Sequence, residues 1–85
     1  IRAVKDNGLE VPGDISVVGF DDIDMSKYID PPLTTYVQPV YKMGSMAVDR
    51  LLKLIETKKP VKPTVTVVEG SIIERTSAKK LGNRL

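Results

Sequence analysis

The residues with the most chemical content are two adjacent carboxylates, Asp21 and Asp22, which abruptly end the apolar run ISVVGF of residues 15–20. An ionised carboxylate only accepts hydrogen bonds and offers several lone-pair sites, which suits it to neighbouring hydroxyls of a sugar or nucleoside. In open α/β sheets ligands bind beyond the carboxyl ends of the strands, and Asp21 is the first polar residue past such a strand. The same pair also has a plainer reading, in which Asp21 ends the strand and Asp22 caps the helix after it. Gln38 closes the extended stretch LTTYVQ just before Pro39. Its amide carries two donors and an acceptor, fit either to orient a hydroxylated ligand or simply to face solvent. Gly19 permits close approach by a ligand or by packed backbone, and Phe20 is either a stacking wall or core.

Other chemistries lack the residues they need. With no His and no Cys, a zinc or transition-metal site has lost its usual ligands, and no disulfide framework exists. No histidine base is present to activate a serine, and neighbouring carboxylates on a strand end point to opposite sides, unlike a glycosidase pair. No glycine-rich phosphate loop appears. An enzyme has no residues to carry it. The net charge of +2 is too small to imply a nucleic-acid surface, and part of the excess lies at Lys79, Lys80 and Arg84, read as a solvated end. No apolar run is long enough to cross a membrane.

The elements that must place these residues follow from local pattern. At 85 residues, 41% hydrophobic and 28% charged, the chain has the composition of one small folded unit. The opening IRAVKDNGL reads as the last turns of a helix stopped at Asn7-Gly8, with Gly in the left-handed conformation. A helix ending so early is expected to begin before residue 1, so the chain is expected to be a piece of something longer. Val11-Pro12 and Gly13-Asp14 form a turn. Ile15 to Phe20, rich in β-branched residues, predicts a strand covered on both faces, as in a parallel sheet. A short helix is expected over 23–28, ended by Asp30-Pro31-Pro32, and a strand over 33–38.

Residues 40–56 have helical periodicity, with Val40, Gly44, Ala47, Val48, Leu51, Leu52 and Ile55 on one face. After the polar linker TKKPVKP, strands are expected over 64–68 and 71–75, with Gly70 marking a bulge or change of face. Residues from Ala78 onward read as a loose tail.

The order of these motifs adds what no single one carries. VPGDISVVGFDD, then PPLTT, then Gln38-Pro39, then Met43-Gly44 and Ala47 with Arg50-Leu51-Leu52, then IIERTS over 72–77, together resemble the C-terminal third of regulators of the lactose-repressor/galactose-repressor (LacI/GalR) family. The resemblance spans roughly residues 8–77. It implies an α/β fold, the C-terminal fragment of a periplasmic-binding-protein-like (type I) two-subdomain architecture with parallel sheets. Residues 1–38 and 64–77 would lie in the C-terminal subdomain, the helix over 39–57 would pack in the N-terminal subdomain, and 78–85 would be tail.

The resemblance further implies a cytoplasmic, homodimeric transcriptional regulator, most simply a repressor, with no cofactor and no membrane partner. A small effector (a sugar, sugar phosphate or purine) would bind between the subdomains. Operator DNA would be read through a helix-turn-helix headpiece absent from these residues. Asp21 matches the family's effector-contacting aspartate, and Gln38 matches a position that contacts the effector or lines its cleft in some members. Tyr28 and Ile29 fall where the family places part of its dimer interface, and Asp22 keeps the helix-cap role. The alternative on the same fold is a periplasmic sugar-binding protein of a transporter. One departure is Thr76 between Arg75 and Ser77, where the family more often has a small residue, with little expected consequence.

Overall fold

The computed structural model describes residues 1–57 and 59–82. Lys58 of the expected linker, and Arg84 with the rest of the expected tail over 83–85, lie outside the described residues. The chain divides into two compact units, one of residues 1–37 and 71–85 and the other of residues 38–70.

In the first unit, α1 (Arg2–Asp6) stops where Gly8 takes φ +75°. The Gly8 N–H donates to Lys5 O at 3.0 Å and the Leu9 N–H to Val4 O at 3.2 Å, the paired bonds that close a Schellman C-cap. The apolar run then yields β1 (Val18–Phe20), a 3₁₀ turn at Asp24–Lys27, and β2 (Thr34–Val37). β1 pairs parallel with β2 in the register Val18–Thr34, Gly19–Thr35, Phe20–Tyr36. Gly19 has a packing reason: a Cβ there would come within 2.6 Å of Leu33 Cδ2 and 3.3 Å of its Cγ.

β3 (Ser71–Ile73) pairs antiparallel with β2, so the sheet is mixed, in order β1-β2-β3, where parallel strands alone were expected. The reason lies in the chain path. It leaves this unit after Val37 and re-enters at Ser71, and these two residues are partners in the ladder, so β3 runs back along β2.

Three strands are shorter than their patterns suggest, because a ladder needs a partner at each residue. Thr64–Val68 has the alternation but forms no strand. It lies in the second unit with α2 (Val40–Glu56), not with β3 as the range 64–77 had grouped it. Within that unit Thr64, Thr66 and Val68 line a groove with Met43, Met46 and Ala47 of α2. Val65 and Val67 alternate with them and are exposed. Ala47 of the expected face lies on this groove, yet it, Met43, Met46, Thr64 and Thr66 are exposed as well. The rest of the expected face, Val40, Gly44, Val48, Leu51, Leu52 and Ile55, is exposed too, as is every residue of α2.

Apart from the Pro31 ring, no apolar side chain among the described residues is buried, and the rest of the buried set is Ser26, Thr34, Thr35 and Ser77. Val18 and Phe20, expected to be covered on both faces, are 60% and 64% exposed. Apolar burial supplies most folding free energy. The isolated 85-residue chain is therefore expected to show no cooperative thermal transition by near-UV circular dichroism at low micromolar concentration. A sigmoidal melt of the monomer would contradict this.

What does hold the first unit is polar. Ser77 Oγ accepts from the Thr34 N–H at 2.8 Å and donates to Val17 O at 2.6 Å. Its backbone N–H donates to Pro32 O at 3.0 Å, and its C=O accepts from the Val17 N–H at 2.9 Å. The expected loose tail is also tied down at its start. The Lys79 N–H donates to Ser16 Oγ and its Nζ to Gly13 O, at 3.1 and 2.7 Å. Among the described residues, no helix is long and apolar enough to cross a membrane.

Candidate functional site

Asp21 and Asp22 follow β1 directly, and both take left-handed backbone conformations, φ +86° and +43°. Non-glycine residues avoid this region, Asp less than most, and such strain persists only where surrounding bonds fix it. Here they do. The Asp21 N–H donates to Tyr36 O at 2.9 Å, and the Asp22 N–H donates to Thr35 Oγ1 at 3.1 Å. Thr35 is fully buried on the neighbouring strand, so its hydroxyl anchors the turn from inside the sheet.

The two carboxylates part company at this turn. Asp22 Oδ1 accepts from Arg75 Nη1 at 2.8 Å, and both side chains are largely covered, at 19% and 15% exposure. The same nitrogen donates to Leu33 O at 2.7 Å, and the Arg75 N–H donates to Thr34 Oγ1 at 2.8 Å. Asp22 therefore does not cap the following turn, as sequence had suggested. The residue at the cap position is Ile23, and no side-chain cap bond forms. A left-handed Asp22 carries its carboxylate to Arg75 instead. Asp21 is exposed, at the carboxyl end of a strand whose neighbour is parallel.

Phe20 and Tyr36, partners in the ladder, stack with centroids 5.2 Å apart and planes 13° from parallel. Gln38 is half-buried and belongs to the other compact unit, its C=O accepting from the Val40 N–H at 2.8 Å. Tyr28 is 73% exposed with Lys27 Nζ 5.7 Å from its ring centroid, while Ile29 is half-buried. Met25 and Ile23 are exposed on the same short turn. Thr76, the departure in the closing motif, is exposed, so its size meets little. No cluster of three or more His, Cys, Asp or Glu among the described residues could hold a metal ion.

Sequence reasoning missed Arg75, Thr35 and Ser77. A signal existed, since PPLTT and ERTS place small hydroxyl residues and an arginine in strand-like segments, where buried polar groups require partners.

Comparison with known proteins gives these motifs a common source. The family described as "Periplasmic binding protein-like domain" matches residues 1–78. The HTH-type transcriptional regulator RegA of Clostridium saccharobutylicum is 46% identical over 77 residues, which cover 91% of this chain and 23% of RegA. The chain thus spans about a quarter of the length of such relatives. The lac repressor dimer bound to operator and the anti-inducer ONPF superposes with a TM-score of 0.78 at 40% identity, covering 91% of this chain and 26% of that one. A LacI family regulator from Enterococcus faecalis V583 with bound ribose gives 0.76 at 34% identity, covering 95% of this chain and 30% of that one. The chain belongs to the periplasmic-binding-protein-like domain family, in the form carried by the transcriptional regulators of the lactose-repressor/galactose-repressor group.

Proposed function

We propose that this chain is the C-terminal part of the effector-binding core of a DNA-binding transcriptional regulator, most simply a repressor, that senses a small sugar. The observation that carries this reading is Asp21. It is an exposed carboxylate at the carboxyl end of β1, held in a strained left-handed conformation by bonds from β2. Strain maintained by the surrounding structure is characteristic of ligand-holding turns. The ribose bound by the Enterococcus faecalis relative supports a polyhydroxylated effector, for which a bidentate carboxylate is the natural partner.

In this reading the first compact unit belongs to the C-terminal subdomain, and residues 38–70 belong to the N-terminal one. Asp21 and Gln38 are the effector-contacting residues. Effector binding closes the subdomains and shifts operator affinity through a dimer in which Tyr28 and Ile29 take part. Reciprocal linkage then requires operator DNA to change sugar affinity by the same factor.

The test uses the full-length protein. A thermal-shift screen of pentoses, hexoses and disaccharides is expected to find at least one stabilising sugar. That sugar should change affinity for the DNA upstream of its own coding region by about tenfold. A secreted protein that binds sugar but not DNA would instead establish a transporter's binding protein.

A further inference from the structure

We infer that the Asp22–Arg75 ion pair is a positioning couple. It holds the Asp21–Asp22 turn left-handed and so fixes the carboxylate of Asp21 where an effector meets it. This rests on the reading of Asp21 as the effector-contacting residue, but its geometry stands independently.

Three bonds converge on the turn. Its two backbone N–H groups are held from β2, by Tyr36 O at 2.9 Å and Thr35 Oγ1 at 3.1 Å. The side chain of Asp22 is held in addition by Arg75 Nη1 at 2.8 Å. Without the third bond, a two-residue left-handed turn of non-glycine residues would relax toward φ below zero, carrying Asp21 with it. Arg75 is itself fixed at both ends. Its backbone N–H is held by Thr34 Oγ1, and its Nη1 is shared between Asp22 and Leu33 O. The guanidinium cannot follow Asp22 if the turn moves, so the turn is referenced to the start of β2. The pair is largely covered, which preserves its strength against solvent screening.

An arginine placed only to stabilise the sheet would not need its charge paired to the residue beside the ligand carboxylate. The two roles separate experimentally. Asp22→Asn removes the charge, while Asn still tolerates positive φ, so the backbone is not newly strained. Both side-chain bonds of Arg75 come from one nitrogen, so the ammonium of Arg75→Lys can replace them in part, whereas Arg75→Gln cannot.

Amide hydrogen exchange on the full-length protein is expected to be about tenfold faster at Asp21 and Asp22 in Asp22→Asn and Arg75→Gln, with α2 amides unchanged. Arg75→Lys is expected to stay close to wild type. Unchanged exchange at Asp21 and Asp22 in both Asp22→Asn and Arg75→Gln overturns the couple. So does acceleration spread evenly through the sheet and α2.

A parallel titration with D-ribose tests the effector reading separately. Asp22→Asn is expected to weaken ribose binding about tenfold with the melting temperature nearly unchanged. Altered exchange with no ribose binding by wild type leaves the couple standing and refutes ribose as the sugar. Altered exchange with unaltered ribose affinity shows that Asp21 does not hold the ligand.

Discussion

Asp21→Asn is expected to cost the full-length protein roughly 100-fold in sugar affinity while leaving its melting temperature and its sugar-free DNA affinity near wild type. A carboxylate accepting from two neighbouring hydroxyls makes two charge-assisted bonds, each worth about 1.5 kcal/mol or more, and together these approach a factor of 100. The asparagine amide turns one acceptor into a donor facing a hydroxyl, so at least one bond is lost and another weakened. Asn is the informative replacement because Asp21 sits at φ +86°, a conformation Asn shares readily and Ala does not. Asp21→Ala would mix backbone strain with the lost contact. Isothermal titration with the sugar found by thermal shift is the measurement. Wild-type affinity in the Asn variant would remove Asp21 from the site.

Much of the architecture was legible from local pattern. The helix over Val40–Glu56 was legible from its periodicity, with Pro39 and the polar TKKP stretch marking its ends. Gly8 was legible as a stop because few other residues tolerate its φ. The strands were legible in kind but not in length, since a ladder depends on what lies beside it. Thr64–Val68 shows this directly, with strand alternation and no partner.

The fate of Asp22 was hidden for a different reason. Its partner Arg75 lies 53 residues away, and its left-handed conformation leaves no mark on a sequence in which Asp before a helical turn usually means a cap. Local pattern assigned Asp22 a structural role apart from Asp21, as a helix cap, and the structure pairs it with Arg75 instead.

The polar centre of the first unit leads to the largest expected effect on stability. Ser77→Ala should destabilise the full-length protein by about 3 kcal/mol, because a single hydroxyl serves two backbone groups. The variant keeps both backbone bonds of residue 77, to Pro32 and Val17. It loses the acceptor for the Thr34 N–H and the donor to Val17 O. Thr34 is 5% exposed and residue 77 is fully buried, so water cannot substitute without opening the sheet.

Exposed Thr76 beside it supplies the control, and Thr76→Ala is expected to lie within about 0.5 kcal/mol of wild type. Urea unfolding should show the Ser77 variant with a lowered midpoint and an unchanged slope, the sign of a native state weakened without a change in the surface exposed. A midpoint equal to wild type would mean that the Thr34 and Val17 groups find other partners. Because Val17 precedes β1 and Thr34 begins β2, the loss bears on the two strands that together place Asp21. Sugar affinity in Ser77→Ala should therefore fall in step with stability, whereas in Asp21→Asn it falls alone.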